Sequence, residues 1–245
     1  MRFLQTILLL GTICLLFPSA ITCQNISSSD SLVTIYNSGN YEGDKQELLK
    51  EIIAATPDPD KSLKYAELMI REAAKDSSYK YLQTGYLQKG NGLQLQGNYE
   101  EALKAYFISA EFAKRIDNID GVGAVTIAIA DTYSMLHNNS QAEKYYNKGI
   151  EILRTSDDSI LLASSLLNSG DHYFNTKNYD HALRNFEESG KIFRKLNYLK
   201  GTAYNLGNVG MVYAEQGKDE LAKANMKEAI TILEAQKEYY PISVY

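Results

Sequence analysis

The 245-residue sequence has no tryptophan, only two cysteines and four prolines, and no surplus of basic residues. Its 25 Lys and Arg residues are outnumbered by 30 Asp and Glu residues, which gives a formal net charge of −5. A nucleic-acid-binding protein needs a cationic face that neutralises phosphates, so this balance argues against that class of function. The scarcity of proline, in a chain rich in Ala, Leu, Lys and Glu, favours a helical fold.

The first 23 residues have the order of regions that is typical of a secretory signal peptide. Arg2 precedes an apolar run over residues 7–17, and small or helix-breaking residues follow it. The run is shorter than the ~20 apolar residues that span a bilayer, and an uncleaved anchor is the alternative interpretation. We expect cleavage after Ala20 or after Cys23.

Both cysteines, Cys14 and Cys23, lie in this leader. Cys23 invites comparison with the lipid-bearing cysteine of bacterial lipoproteins, but Ile21 and Thr22 fit the preceding consensus poorly, and we favour plain secretion. If cleavage follows Cys23, the mature chain has no thiol. It can then form neither a disulfide nor a thiolate metal site.

A period of 40 residues runs through most of the remaining chain. An alanine recurs once in each unit, with a large side chain four residues after it and a small residue twelve before it. These columns are Ala102, Ala142, Ala182 and Ala222; Tyr106, Tyr146, Phe186 and Met226; and Gly90, Ala130, Gly170 and Gly210. The apolar positions of each half-unit follow the spacing of one helix face. Each unit is therefore predicted to be two helices that cross closely at their small residues.

The columns resemble those of the tetratricopeptide repeat. In the first unit the motif residues are Tyr86, Gly90, Gly97, Tyr99, Ala102 and Tyr106. The resemblance implies an all-α fold, a right-handed superhelical solenoid of antiparallel helix pairs, with repeats at 78–118, 119–158, 159–198 and 199–238. The period of 40 exceeds the family's usual period of about 34, and no unit has the closing proline, so we expect longer helices.

Three further segments flank these repeats. Residues 24–44 are rich in Ser, Asn and Gly and are predicted to be a flexible linker. Residues 45–77 keep the register but lack the glycine column and the column nine positions before each alanine, which reads Leu93, Tyr133, Tyr173 and Tyr213. This predicts a degenerate helix pair that caps the stack. Residues 239–245 are interpreted as the start of a further, truncated repeat. They would either fold back on the last core face or belong to a longer protein, and we favour the latter because terminal repeats need a polar outer face.

The first helices of tetratricopeptide repeats line a concave face, and the resemblance therefore implies a partner-binding groove. The groove residues that we single out are Leu87, Asn91, Gln94, Ile127, Asp131, Leu167, Asp171, Phe174, Tyr204 and Met211. No Lys or Arg stands at the lining positions, which argues against a clamp for a C-terminal carboxylate. We expect an extended peptide or a helix instead, contacted by apolar and aromatic side chains.

No catalytic constellation accompanies these repeats. The chain has three histidines, and His172 directly follows Asp171, so the two side chains point to different sides of a helix and cannot form a relay. No metalloprotease, phosphate-loop or nucleophile-elbow motif occurs. We therefore predict a protein that is not an enzyme and that uses no metal or cofactor.

An exported leader followed by long repeats resembles the periplasmic ectodomain of bacterial membrane signalling proteins. In those proteins a membrane helix and then an adenylate or guanylate cyclase or histidine kinase follow. The resemblance implies a sensory or scaffolding region in the periplasm or cell envelope, which binds a protein or peptide and no nucleic acid. A missing C-terminal segment or a lipidated Cys23 would tether it to the membrane. The alternative is a free-standing periplasmic scaffold or assembly chaperone.

Overall fold

The computed structural model describes residues 25–39 and 41–238, and the predicted signal peptide and the segment 239–245 lie outside them. Within this described part the chain contains helices and no strand, which confirms the all-α fold class. The helices are α1 (Asn25–Ser38), α2 (Lys45–Ala55), α3 (Pro59–Lys75), α4 (Tyr79–Leu95), α5 (Tyr99–Arg115), α6 (Ile119–Met135), α7 (Asn139–Leu153), α8 (Ser159–Asn175), α9 (Tyr179–Lys195), α10 (Leu199–Glu215) and α11 (Asp219–Ala235). α1–α7 belong to one compact unit and α8–α11 to a second, with the division between Thr155 and Ser156.

After α3 and after every later helix except α7, the chain turns with one backbone geometry. A residue with positive φ ends each turn, and these residues are Ser77, Gly97, Asp117, His137, Lys177, Asn197, Gly217 and Lys237. The next N–H donates to a carbonyl five residues back, as Asn98 N does to Leu93 O at 2.9 Å. This is the Schellman ending, which satisfies the last carbonyls of a helix. The turn after α7 differs, because α7 ends at Leu153 and residue 157 does not adopt positive φ.

Lys177→Gly is expected to stabilise the second unit by about 0.5–1 kcal/mol. Lys177 has a φ of 62°, a conformation that is strained for a residue with a Cβ and relaxed for glycine. Lys227→Gly, in the middle of α11, is the matched control and should destabilise by about the same amount. Urea denaturation followed by circular dichroism measures both changes. A loss of stability in Lys177→Gly would contradict the turn geometry.

In the unit α1–α7, the helices of a pair cross where a small residue faces a large one. A Cβ at Gly90 of α4 would lie 2.4 Å from Cε1 of Tyr106 on α5, so a side chain here would force the ring or a helix to shift. The hydroxyl of Ser109, fully buried in the same seam, donates to the backbone oxygen of Gln83 at 2.8 Å. The predicted pairing of small and large columns is therefore confirmed for this hairpin.

The unit α8–α11 repeats these contacts 80 residues later. A Cβ at Gly170 would lie 2.3 Å from Cε1 of Phe186, and Ser189 donates its hydroxyl to the backbone oxygen of Ala163 at 2.7 Å. Both Phe186 and Ser189 are fully buried. Equivalent positions in the sequence thus make equivalent contacts.

The prediction of a flexible linker over residues 24–44 is wrong for most of that segment. Leu32, Val33 and Tyr36 of α1 pack against the core formed by α2, α3 and α4. The hydroxyl of Ser29 lies 2.9 Å from that of Thr56, just after α2. The apolar residues are few, but Val33 and Tyr36 stand one and four positions after Leu32, which places all three on one helix face. The polar composition concealed that face.

Candidate partner-binding surfaces on the first helices

The free face of α4 carries three of the predicted groove residues, Leu87, Asn91 and Gln94. All three are half-buried. Leu87 packs at the edge of the core between α4, α5 and α6. The side chain of Gln94 donates through Nε2 to the hydroxyl of Thr132 on α6 at 2.9 Å. The amide of Gln94 thus links neighbouring first helices within this unit.

Asn91 is held in place from inside the core. The hydroxyl of Tyr106 donates to Oδ1 of Asn91 at 2.8 Å, and Nδ2 of Asn91 donates to Oε1 of Gln88 at 3.2 Å. Burial, and secondarily the charge of Asp131, raises the pKa of Tyr106 well above its ordinary value. The phenol therefore stays protonated and remains a donor to Asn91.

Asp131 on α6 has the same kind of support. The hydroxyl of Tyr146 donates to Oδ1 of Asp131 at 2.5 Å, and both residues stand 40 positions after the pair Tyr106 and Asn91. A buried tyrosine thus fixes the polar residue that follows the small residue of each of these two repeats. We did not predict this contact, although its signal is present in the sequence as a polar residue fifteen positions before each core tyrosine.

In the second unit a phenylalanine, Phe186, occupies the equivalent core position and cannot donate. Asp171 on α8 instead accepts a hydrogen bond from Nδ2 of Asn208 on α10 at 2.5 Å. Three further predicted residues are half-buried, namely Phe174, Tyr204 and Met211. Phe174 and Tyr204 pack at the edge of the core that contains Phe186. An amide–carboxylate pair and three apolar or aromatic side chains therefore lie on the first helices of this unit.

Two of the predicted groove residues are in the core. Ile127 and Leu167 are each 0% exposed. A Cβ at Gly149 of α7 would lie 2.6 Å from Cδ1 of Ile127, and Leu167 belongs to the core cluster that contains Phe186. The first helices pack against the second helices on either side, as α6 does with α5 and α7. The predicted residues that stay accessible form a stripe on the first helices of each unit, and it is narrower than helical spacing alone suggests. The stripe residues are Leu87, Asn91, Gln94 and Asp131 in one unit and Asp171, Phe174, Tyr204 and Met211 in the other.

The described residues include neither a candidate metal cluster nor a membrane-spanning helix. They contain no group of three or more His, Cys, Asp or Glu side chains that could hold a metal ion. No helix between residues 25 and 238 is long and apolar enough to cross a bilayer. Hydrogen bonding and apolar contact are what the two stripes provide.

Solved structures with the same fold include proteins of several kinds. BtubC (BKLC) from P. vanneervenii is 18% identical, with a TM-score of 0.70 over 91% of this chain and 95% of that one. A signal transduction ATPase with a tetratricopeptide repeat sensor, from Pyrococcus horikoshii, is 19% identical with a TM-score of 0.69, over 87% of this chain and 34% of that one. A Rap protein complexed with competence and sporulation factor is 15% identical with a TM-score of 0.67, over 84% of this chain and 58% of that one. At these identities the similarity shows the fold alone.

The sequence itself agrees with these structural similarities. No curated protein sequence matches this chain. The family model described as tetratricopeptide repeat, however, matches residues 81–155 and 161–235, which together are more than half of the chain. The two matches begin 80 residues apart, which is two periods of the repeat. The chain belongs to the tetratricopeptide repeat family.

Proposed function

We propose that this protein is an exported module that binds a protein or peptide along the accessible stripes of its first helices. The tetratricopeptide repeat fold typically serves interaction rather than catalysis. The observation that carries the proposal is the support of polar stripe residues by the core: Tyr106 holds Asn91, and Tyr146 holds Asp131. Side chains positioned in this way lose little freedom when a partner arrives, which favours binding.

The second unit indicates what kind of partner would fit. Phe174, Tyr204 and Met211 offer apolar contact, and aromatic and methionine side chains are enriched at binding interfaces. Asp171 and Asn208 place polar atoms beside them. We propose an extended peptide or an amphipathic helix that buries apolar side chains here and hydrogen-bonds to the polar pair. A free C-terminal carboxylate is disfavoured, because none of the predicted groove residues is a cation.

We further propose that this binding serves signalling in the cell envelope. The leader over residues 1–23 supports export, and the long repeats resemble ectodomains that precede a cyclase or histidine kinase. Among the fold neighbours, the Rap protein is in complex with competence and sporulation factor, and the repeats of the Pyrococcus horikoshii ATPase are described as a sensor. A ligand that prefers one arrangement of the repeats would shift the population of that arrangement.

The experiment is a selection of peptides from a random library on the wild-type protein, followed by affinity measurements on variants. Tyr204→Ala combined with Met211→Ala should lower the affinity for the selected peptides about tenfold or more, since truncation of an aromatic anchor commonly costs that much binding energy. Leu221→Ala is the matched control, because Leu221 is 49% exposed on α11 and lies off the stripe. Equal affinity of the double variant and the wild type, with helicity unchanged, would refute the groove assignment.

A further inference from the structure

The turn between α9 and α10 exposes an unusual cluster of large apolar side chains. Residues 194–200 read Arg-Lys-Leu-Asn-Tyr-Leu-Lys, and residues 194–199 are all exposed. Leu196 is 43% exposed, Tyr198 37% and Leu199 47%. Single exposed apolar residues are ordinary, but three within four positions form a patch that indicates an interaction surface.

The backbone holds this turn in one conformation. Asn197 has a φ of 53°, and its N–H donates to the backbone oxygen of Arg194 at 3.1 Å. The N–H of Tyr198 donates to the backbone oxygen of Phe193 at 2.9 Å, and the two rings lie 5.5 Å apart. The apolar side chains therefore project from a turn that is closed by hydrogen bonds. The ring of Tyr198 packs partly against the buried Phe193 and is still 37% exposed.

The charged side chains of residues 191–200 are all basic. Arg194, Lys195 and Lys200 flank the patch, and residues 191–200 include no Asp or Glu. Lys200 pairs with Glu238 at 2.9 Å, so its charge is partly compensated. The whole chain, in contrast, has a formal net charge of −5. Attraction of this protein to an anionic surface must therefore come from a local patch, and this turn provides one.

We propose that the turn at residues 194–200 docks on an anionic lipid bilayer. Exposed leucine and tyrosine side chains enter the headgroup region, while neighbouring Lys and Arg side chains contact anionic headgroups. A bilayer suits this patch better than a stable protein partner does, because a turn of seven residues offers less than the ~800 Å² per partner of a stable protein interface. The inference is independent of the groove, which lies on other residues.

The turn between α5 and α6 is a natural control. It stands 80 residues earlier in the same register, so Ile119 is equivalent to Leu199. Their exposed fractions are nearly equal, at 48% for Ile119 and 47% for Leu199. Asp117 and Asp120, however, replace Asn197 and Lys200. If anionic lipid is the partner, the turn between α9 and α10 should bind it and the turn between α5 and α6 should not.

Because the protein has no tryptophan, one substitution makes each turn visible by fluorescence. Leu199→Trp and Ile119→Trp should each leave the fold intact, since both side chains are half-exposed at the start of a helix. With phosphatidylglycerol vesicles, the emission of Leu199→Trp should shift to shorter wavelength, and that of Ile119→Trp should stay unchanged. With phosphatidylcholine vesicles, neither should shift.

Charge reversal supplies the second arm. Arg194→Glu with Lys195→Glu, introduced into Leu199→Trp, should weaken vesicle affinity at least about tenfold, since each basic residue contributes to attraction by the surface potential. Added salt should weaken the affinity of the parent in the same direction. The proposal fails if Leu199→Trp shows no shift with anionic vesicles, if Ile119→Trp shifts equally, or if charge reversal changes nothing.

Discussion

Phe186→Ala is expected to lower the unfolding free energy of the second unit by about 3–5 kcal/mol, the usual cost of truncating a buried phenylalanine. Phe186 is fully buried, and its ring fills the space beside the backbone of Gly170. The void would be bounded by two helix backbones that are already in close approach, so it could collapse only in part. Chemical denaturation followed by circular dichroism measures the loss.

Two companion variants test whether the ring and the glycine act as one unit. Phe107→Ala, the control, removes a ring that is 40% exposed and should cost less than Phe186→Ala, about 1–2 kcal/mol. Gly170→Ala alone should destabilise, because its Cβ would lie 2.3 Å from the ring of Phe186. In the Phe186→Ala background that clash is absent, so the cost of Gly170→Ala should largely vanish. If the losses of unfolding free energy in the two variants are additive, positions 170 and 186 do not share this contact.

Leu167→Asp is expected to abolish cooperative folding of the second unit, a loss of more than about 4 kcal/mol. Leu167 is 0% exposed within the core cluster that contains Phe186, and a carboxylate there would be removed from water among apolar groups. The far-ultraviolet circular dichroism signal and its urea midpoint report the outcome.

Met211→Asp is the control for that prediction. Met211 is half-buried on the accessible stripe, so an aspartate there can turn toward water. Its cost should be no more than about 2 kcal/mol, and a folding transition should persist. If Leu167→Asp instead folds like the wild type, then Leu167 lies on the groove surface as the sequence pattern suggests, and its placement in the core is wrong.

Much of this architecture could be predicted from spacing alone. The glycine and tyrosine columns predict close helix crossings, and Gly90 with Tyr106 and Gly170 with Phe186 show them. Such columns are informative because a Cβ at a close helix crossing would clash with the neighbouring helix, so few residue types fit there. Helix α1 was not predicted, because it has no such column of small residues. Its serine-rich composition resembles a linker, and only tertiary packing shows that its few apolar residues suffice.

The groove was harder to predict than the fold. Helical spacing shows which residues share a face, but it does not show how much of that face the neighbouring helices cover. Ile127 and Leu167 are on the expected side of their helices and are still fully buried. The support of Asn91 by Tyr106 depends on the reach of a tyrosine ring across a helix pair. Such a contact requires coordinates before its pattern in the sequence can be interpreted.

The recurrent ending shared by most of the helices has a consequence for how such a chain can change length. Because positive φ recurs at residues 77, 97, 117 and 137, each hairpin enters and leaves its turn in the same rotational phase. Duplication or loss of a 40-residue block among these turns would bring equivalent helix faces together at the junction. An insertion inside a helix that is not close to a whole number of turns would turn the following side chains away from their partners. The gene can therefore gain or lose whole hairpins and keep its columns aligned.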